Sequence, residues 1–449
     1  MTHEERRSAL SLAAVFSVRL LGLFMIYPVF AGYAGHLQDA SPALTGLALG
    51  IYGLTQGLLQ IPFGLLSDRI GRKTMIVTGL LIFAAGSAVA ATSTSVVGVV
   101  IGRALQGGGA VGSVVLALVA DLTREEHRTS AMAMVGITIG MSFVVALVAG
   151  PLVAGLIGVA GIFWLMVGLA VVGILITLFV VPHPPTLRLH RDAEAVPSML
   201  GRVLVNTELL RLDYGIFALH AMLTASFLVM PQLLSHGLGV TSDEQWYVYL
   251  PVLLLSVAVM VPSIIVAEKY RRMKAVFVAA VITLAASQML LLAAANNTAL
   301  LILALIFFFA GFNVMEASLP SLVTKTAPPD AKGTATGVYS SSQFLGIFVG
   351  GALGGWIHQA SGDVGVFALT SLLAGLWLVL AITMKQPSYL TTRLIRLPHA
   401  ADADVLARKL RSVRGVAEAV VVVEDGLAYL KVDSKVFDAD AAEMLAGAA

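Results

Sequence analysis

Residues 64–73 read Gly64-Leu65-Leu66-Ser67-Asp68-Arg69-Ile70-Gly71-Arg72-Lys73, a polar segment between two long apolar runs. Its charged residues are Asp68, Arg69, Arg72 and Lys73. Charge is costly inside a bilayer, so the segment marks a place where the chain leaves the lipid and turns back. The two glycines permit a tight turn and close helix approach. The charges lie near enough to pair with one another and with nearby helix ends.

A second copy of this segment lies 200 residues further along the chain. A shift of that length aligns Ile61-Pro62 with Val261-Pro262, Asp68-Arg69 with Glu268-Lys269, and Arg72 with Arg272. Internal repeats of this size in an apolar background are typical of transport proteins built from two related bundles. The sequence therefore predicts two similar halves.

The composition indicates whether water or lipid surrounds the folded chain. Hydrophobic residues make up 58% of the chain and charged residues 12%, and the mean hydropathy is +0.91. A chain of 449 residues with these values has too little polar surface for a water-soluble globule, so we expect an integral membrane protein. The sequence contains no cysteine, which excludes disulfides, thiolate metal sites and cysteine nucleophiles.

A membrane-spanning helix needs about 20 apolar residues. Twelve runs satisfy this, at about 10–34, 43–66, 74–92, 96–119, 129–157, 162–181, 212–235, 247–267, 275–294, 298–322, 333–357 and 364–384. Of the 28 lysines and arginines, 26 lie at the N-terminus, in alternate connections or after residue 384, and the other six connections contain none. This partition follows the positive-inside rule and predicts a multi-pass membrane protein with an even number of spans and both termini in the cytoplasm.

The chain divides into four predicted parts. Residues 1–181 and 212–385 form two six-helix bundles, and residues 182–211 form a cytoplasmic linker. Residues 388–449 show the pattern strand, helix, strand, strand, helix, with Glu424-Asp425-Gly426 as a hairpin turn. The predicted fold class is an all-α membrane protein with twelve transmembrane helices in two pseudo-symmetric bundles. A small α+β domain follows, ferredoxin-like but without an obvious last strand.

Three motifs carry a resemblance to a known family. Residues 64–73 resemble the signature between the second and third helices of the major facilitator superfamily. The run Arg103-Ala104-Leu105-Gln106-Gly107-Gly108-Gly109-Ala110 resembles its fourth-helix motif. Gly150-Pro151 with Gly155 resembles the fifth-helix motif of its antiporters, although Ala146 and Ala154 stand where glycines are usual. With its C-terminal module, the chain resembles the YajR-type transporters of the drug/proton antiporter branch, which implies that superfamily's fold and proton-driven transport.

The resemblance implies a conformational switch at the first motif. It places Asp68 against the N-terminus of the eleventh helix, near Gly333, and in a charge network with Arg72 and Asp121. A carboxylate at a helix N-terminus is stabilised by about 0.3–2 kcal/mol, so breaking this contact would bias inward-open against outward-open states. The candidate switch residues are Gly64, Asp68, Arg69, Gly71, Arg72 and Asp121. The alternative is that they only anchor the topology through positive charge.

Two arginines lie inside predicted spans, Arg19 in the first and Arg103 in the fourth. A guanidinium at mid-membrane costs about 2.5–3.5 kcal/mol, so each should face a polar cavity or a partner. Pairing within the bundle is the structural alternative for both. Many drug antiporters have an acid in the first helix, where this chain has Arg19, so the proton site is not assigned there.

Few acids lie inside the spans, which narrows the search for a proton site. Glu316 is in the middle of the tenth span, and His220 lies about two turns into the seventh. Both residue types can change protonation across a proton gradient, so we predict that they line a central cavity as proton or substrate sites. The alternative is a buried acid and a buried imidazole, each satisfied by one neighbour. Further cavity candidates, which could also serve only to hold helices together, are Gln56, Gln60, Asn313, Tyr339 and Gln343.

Motifs for other chemistries are missing from the sequence. It has no phosphate-binding loop with a lysine, no cysteine or histidine metal cluster and no serine, histidine and acid motif. We therefore expect no enzymatic activity, no metal and no cofactor, with energy drawn from a proton gradient.

The predicted function is proton-coupled secondary transport by alternating access, in which a small hydrophobic or drug-like molecule is exported by antiport. The expected partners are that small-molecule substrate, protons and the lipid bilayer, with no nucleic acid, and the protein is expected to be a monomer. Symport or uniport uptake is one alternative. A membrane sensor gated by the C-terminal domain is another.

Overall fold

The computed structural model describes residues 1–183, 194–294, 297–387, 389–397, 403–423, 426–433 and 435–447. The first half of the chain forms the helices α1 (His3–Met25), α2 (Tyr27–Ala34), α3 (Pro42–Ile70), α4 (Arg72–Thr92), α5 (Val96–Gly108), α6 (Gly112–Asp121) and α7 (Glu125–Phe179). The first span consists of α1 and α2, and the fourth of α5 and α6. Two spans make up α7, separated at Gly158, whose φ of 73° is one that glycine adopts readily.

The second half begins with a 3-10 turn (Pro197–Met199) and the short helix α8 (Leu200–Leu204). The long helices α9 (Thr207–Leu238), α10 (Trp246–Glu268), α11 (Met273–Ala293), α12 (Thr298–Thr326) and α13 (Lys332–Thr383) follow. Two spans again make up the last of these, separated at Gly362. Helix α9 begins at Thr207 rather than at 212, because the Asn206 side chain caps it by accepting from two backbone amides.

The prediction of twelve spans in two six-helix bundles is confirmed. Ten helices of the described residues are long and apolar enough to cross a membrane, and two of them, α7 and α13, cross twice. An even number of crossings puts both ends of the helical region on one side of the bilayer. We call this side, which carries the 64–73 segment and its repeat at 268–272, the basic side.

The two bundles pack closely along a seam between α3 and α13. A Cβ on Gly46 would come within 2.7 Å of the Gly355 Cα, and a Cβ on Gly50 within 2.7 Å of the Phe348 carbonyl oxygen. No side chain larger than hydrogen fits at these positions without displacing the facing backbone. The seam begins at the end of α3 that is farthest from the basic side, so the bundles are joined on the opposite side.

On the basic side, α3 and α13 separate around a small cavity. Its lining includes residues of both bundles and of the linker: Gln60, Gly64, Asp68, Arg72, Ser113, Glu194, Ala195, Gly333, Thr336, Gly337 and Ser340. The bundles therefore pack together on the side opposite the basic side, which we call the joined side. On the basic side the cavity separates them.

The C-terminal module contains β1 (Thr391–Arg396), α14 (Ala403–Arg411), β2 (Val416–Val422), β3 (Leu427–Val432) and α15 (Ala439–Gly447). The strands form an antiparallel sheet in the order β1-β3-β2, and the described residues contain no fourth strand. Leu406, Leu410 and Leu430 are buried in its own small core. The predicted order of elements is confirmed. Of the predicted hairpin turn, Glu424 and Asp425 lie outside the described residues, and Gly426 has a φ of 63°.

The module contacts the basic side of the second bundle. The Lys431 ammonium is 4% exposed and donates to the Lys325 carbonyl at the end of α12, at 2.9 Å. Burial lowers the pKa of Lys431, and the nearby Glu418 carboxylate opposes this shift. The Tyr389 hydroxyl accepts from the Met273 amide at 2.9 Å, and Arg271 lies 3.4 Å from Asp433. These contacts fix the module beside the start of α11 and the end of α12.

Candidate functional site

The 64–73 segment builds a buried ionic cluster around Arg72. Gly71, with a φ of 98°, ends α3 and lets α4 begin at the next residue. This reversal brings the guanidinium back against the last turn of α3, where it pairs with Asp68 and donates to the Ser67 hydroxyl at 2.7 Å. The Arg72 side chain is 1% exposed, so its charge must be offset by partners nearby.

Two further carboxylates complete the cluster. Arg72 Nε lies 3.1 Å from Asp121 at the end of α6, and Arg72 Nη2 lies 2.7 Å from Glu194 in the linker. The expected network of Asp68, Arg72 and Asp121 is therefore present. The Glu194 carboxylate was not predicted, because the linker has no periodic pattern from which a contact can be read.

Asp68 and Gly333, in the first turn of α13, line the same cavity, together with Glu194 and Ala195 of the linker. The expected contact of Asp68 with the N-terminus of the eleventh helix stays a prediction. The other candidate switch residues have separate positions. Gly64 lines the same cavity and faces Ser113, whereas Arg69 is exposed at the end of α3.

Two of the buried guanidinium groups of the first bundle, those of Arg19 and Arg103, lie near the Tyr52 ring. Arg19 and Arg103 are each 1% exposed, at 5.6 and 5.1 Å from the ring centre. Arg19 donates to the Tyr52 hydroxyl and to Gln56, and Arg103 donates to Gln106 at 3.0 Å. Among the described residues, neither guanidinium has a carboxylate partner. Their partners are neutral groups of the same bundle, and Arg19 Nε has no described hydrogen-bond partner. The role of the two arginines in a substrate cavity stays a prediction.

The second bundle brings His220, Glu316 and Gln343 together from three helices. Gln343 on α13 lies 2.9 Å from His220 Nε2 on α9, and Glu316 Oε2 on α12 lies 3.8 Å from the same nitrogen. The His220 Nδ1 atom lies 3.3 Å from the Ile216 carbonyl oxygen. If the Gln343 amide is the donor, the imidazole is neutral with its proton on Nδ1, which leaves Nε2 as the acceptor.

Two acceptor groups lie side by side at this site, His220 Nε2, which faces the Gln343 amide, and the Glu316 carboxylate. His220 is 1% exposed, and 23% of the Glu316 side chain is exposed. No described residue donates a hydrogen bond to Glu316 Oε2, although that atom is buried. A buried carboxylate oxygen without a hydrogen-bond donor is costly when the carboxyl group is ionised.

The remaining cavity candidates have identifiable roles in packing. Asn313 donates to Ser256 at 2.6 Å and so joins α12 to α10. Gln56 lies 3.4 Å from Gln60, which lines the cavity, and Tyr339 is 5% exposed. Asp213 was not among the predicted site residues. The structure shows it 6% exposed, with one carboxylate oxygen that has no described donor.

The fifth-span motif lies at a contact between helices. Pro151 is inside α7, and a Cβ on Gly150 would come within 2.5 Å of the Met25 carbonyl oxygen, at the break between α1 and α2. A Cβ on Gly155 would come within 2.8 Å of the Asp243 Cβ in the second bundle. The motif therefore allows close packing on the joined side of the molecule.

Two six-helix bundles with buried polar groups at their centres and a charged cluster at one end define a class: a multi-pass membrane transport protein. The chain belongs to the Major Facilitator Superfamily, whose sequence profile matches residues 12–351 and, in a second match, 212–416. The profile of the YajR YAM domain matches residues 393–445, which contain the C-terminal module.

Individual proteins agree with this assignment. The chain is 46% identical to the inner membrane transport protein YajR of Escherichia coli over 97% of this chain and 96% of that one. It is 26% identical to the multidrug resistance protein MdtH of Aeromonas salmonicida over 79% of this chain and 89% of that one. The crystal structure of the human organic anion transporter MFSD10 matches with a TM-score of 0.61 at 19% identity, covering 85% of this chain and 100% of that one, which supports the fold.

Proposed function

We propose that this membrane transporter is a proton-coupled antiporter that exports a small, apolar, drug-like molecule by alternating access. The observation that carries the proposal is the pair formed by His220 and Glu316, 3.8 Å apart inside the second bundle. A histidine and a carboxylate at this distance are too far apart for a hydrogen bond, but a proton on the imidazole forms an ion pair with the carboxylate, so the protonation of each group depends on the other. Proton binding and release there would change the charge of the cavity wall in each cycle.

A change of charge at His220 and Glu316 would couple proton binding to the movement of the bundles. Gln343, which contacts His220, is on α13, the helix that forms the inter-bundle seam with α3. A change in protonation alters the hydrogen bonds between α9, α12 and α13, and therefore the packing of the helix that faces the other bundle. An apolar substrate that competes with the proton for the cavity would then be released as the proton binds.

The name of one relative supports the direction of transport. MdtH of Aeromonas salmonicida carries the name of a multidrug resistance protein, which agrees with export of apolar compounds. The fifth-span motif supports antiport through Gly155, which packs closely against Asp243 of the second bundle, because tight contact between bundles limits leakage of the proton gradient.

The test begins with a screen of amphipathic drug-like compounds for thermal stabilisation of the detergent-purified protein. A stabilising compound is then loaded into proteoliposomes with an imposed pH gradient, and its flux is measured together with the internal pH. We expect proton-dependent export that Glu316→Gln and His220→Ala each reduce by at least tenfold. Glu443→Gln, which removes an exposed charge on α15, serves as the control.

Unchanged coupling in both variants would remove the pair from the mechanism. Two alternatives have their own support. Ala146 and Ala154 in the fifth-span motif favour symport or uniport uptake, which the direction of flux in the same proteoliposomes distinguishes. The contact of Lys431 with Lys325 favours a membrane sensor, in which the module reports on the bundle.

A further inference from the structure

The linker between the bundles enters the space between them. Residues 194–196 lie next to the basic-side cavity, where Glu194 and Ala195 form part of its lining. Glu194 is 8% exposed, which is unusual for a carboxylate in an irregular segment. A linker that served only as a tether would leave its charged side chains in water.

The backbone of this segment fits against the first turns of α13. A Cβ on Gly333 would come within 2.6 Å of the Glu194 carbonyl carbon, so only glycine allows this approach. The Val196 amide donates to the Thr334 hydroxyl at 2.9 Å. A Cβ on Gly337 would lie 3.4 Å from the Ala195 Cβ. The segment is therefore seated on the second bundle over about one helical turn.

Further along the linker, α8 is attached to the same bundle. Arg202 on α8 pairs with Asp330, just before α13, at 2.8 Å. The linker segment contacts the first bundle through the ion pair of Glu194 with Arg72, at 2.7 Å. When the bundles move relative to each other, the linker will therefore stay with α13, and the bond to Arg72 is the one that must break.

We propose that Glu194 is a positioning residue of the conformational switch, which latches the linker and α13 to Arg72 and so holds the basic side closed. The proposal rests on the alternating-access part of the proposed function. Asp68 and Asp121 belong to the same bundle as Arg72, so their pairs with it can survive the movement. Glu194 supplies the carboxylate that crosses the bundle boundary.

The latch is tested with a thiol reporter, which is unique because the sequence contains no cysteine. Ser340 lines the cavity, and Ser340→Cys is alkylated with a bulky maleimide in the detergent-purified full-length protein. We expect Glu194→Gln to raise the alkylation rate about tenfold, which corresponds to about 1.4 kcal/mol of shifted opening. Glu194→Asp should give a smaller rise, and Glu443→Gln none.

The linker's seat is tested separately with Ala195→Cys and Gly337→Cys. The 3.4 Å between their Cβ positions is close to the roughly 3.5–4.5 Å that disulfides require, so oxidation should cross-link most of the protein. Equal alkylation rates with and without the Glu194→Gln substitution in a monodisperse protein would overturn the latch. Failure to cross-link would overturn the seat. Neither the alkylation nor the cross-linking measurement depends on transport. The latch can therefore be overturned while proton coupling at His220 holds, and proton coupling can be overturned while the latch holds.

Discussion

Arg72 shows how a cation is accommodated between helices near the membrane surface. Its side chain is 1% exposed and is surrounded by the carboxylates of Asp68, Asp121 and Glu194. These three partners differ in burial, since Asp68 retains 33% exposure, Glu194 8% and Asp121 none. The more buried a partner is, the more its removal costs, because the remaining charge cannot be solvated.

For Asp68 this argument predicts a functional effect without loss of the fold. We expect Asp68→Asn to be expressed and folded, because Arg72 keeps two buried carboxylates. Partly exposed ion pairs are worth about 0.2–1 kcal/mol, so flux of a transported compound should fall by up to about fivefold. The measurement is flux in proteoliposomes at matched protein content, with Glu443→Gln as the control. Full flux in a well-expressed Asp68→Asn protein would remove Asp68 from the switch and leave it a role in topology alone.

Part of this cluster could be predicted from the sequence and part could not. Asp68, Arg72 and Asp121 could be grouped because their motif resembles a known signature. Glu194 could not, because a carboxylate in an irregular linker has no preferred direction until the chain around it is placed. Likewise, charge in an apolar span indicated Glu316 and His220, but that Gln343 contacts His220 depends on how α9 and α13 pack.

At the scale of helices, the seam between α3 and α13 consists of small residues in contact. Gly46 faces Gly355, and Gly50 faces Gly351 and the Phe348 carbonyl. Helices in lipid gain little from apolar burial against each other, so association depends on such close backbone approach. The seam is continuous along the joined side of the molecule, which makes it sensitive to a single added methyl group.

We therefore expect Gly46→Ala to destabilise the protein. The added methyl would overlap the backbone of α13, and overpacking of this kind costs about 1–3 kcal/mol. The measurement is the midpoint of thermal unfolding in detergent. Gly136→Ala in α7 is the matched control, because a Cβ there meets nothing within 4 Å. An equal midpoint for both variants would show that the seam yields without cost.

The number of membrane spans was predicted more accurately than the ends of the helices. The twelve spans follow from apolar run length and from the distribution of lysine and arginine, which tertiary packing does not alter. The start of α9 at Thr207 was missed, because a polar first turn capped by Asn206 resembles linker sequence. The order of elements in the C-terminal module was predicted correctly, since strand alternation and turn residues are local signals.

At the scale of the whole molecule, three bodies meet on the basic side: the two bundles and the C-terminal module. The pairs described above join the module to the second bundle, with Lys431 at the end of α12 and Tyr389 at the start of α11. Glu194 and Arg72 join the bundles at a separate place. The module is thus attached to the same bundle as the linker. None of the module's pairs named above joins it to the first bundle, so movement of the bundles need not break them.

This arrangement predicts that the module is not needed for transport itself. A chain that ends at residue 387 should keep at least half of the proton-dependent flux, because the His220 and Glu316 pair and the seam lie wholly within the bundles. The flux is measured in proteoliposomes, beside the full-length variant Lys431→Met, which removes the buried ammonium but retains the module. Loss of flux in the truncated chain alone would show that the module's fold is required. Loss in both would show that its contact with Lys325 controls the bundle, which is the behaviour of a sensor.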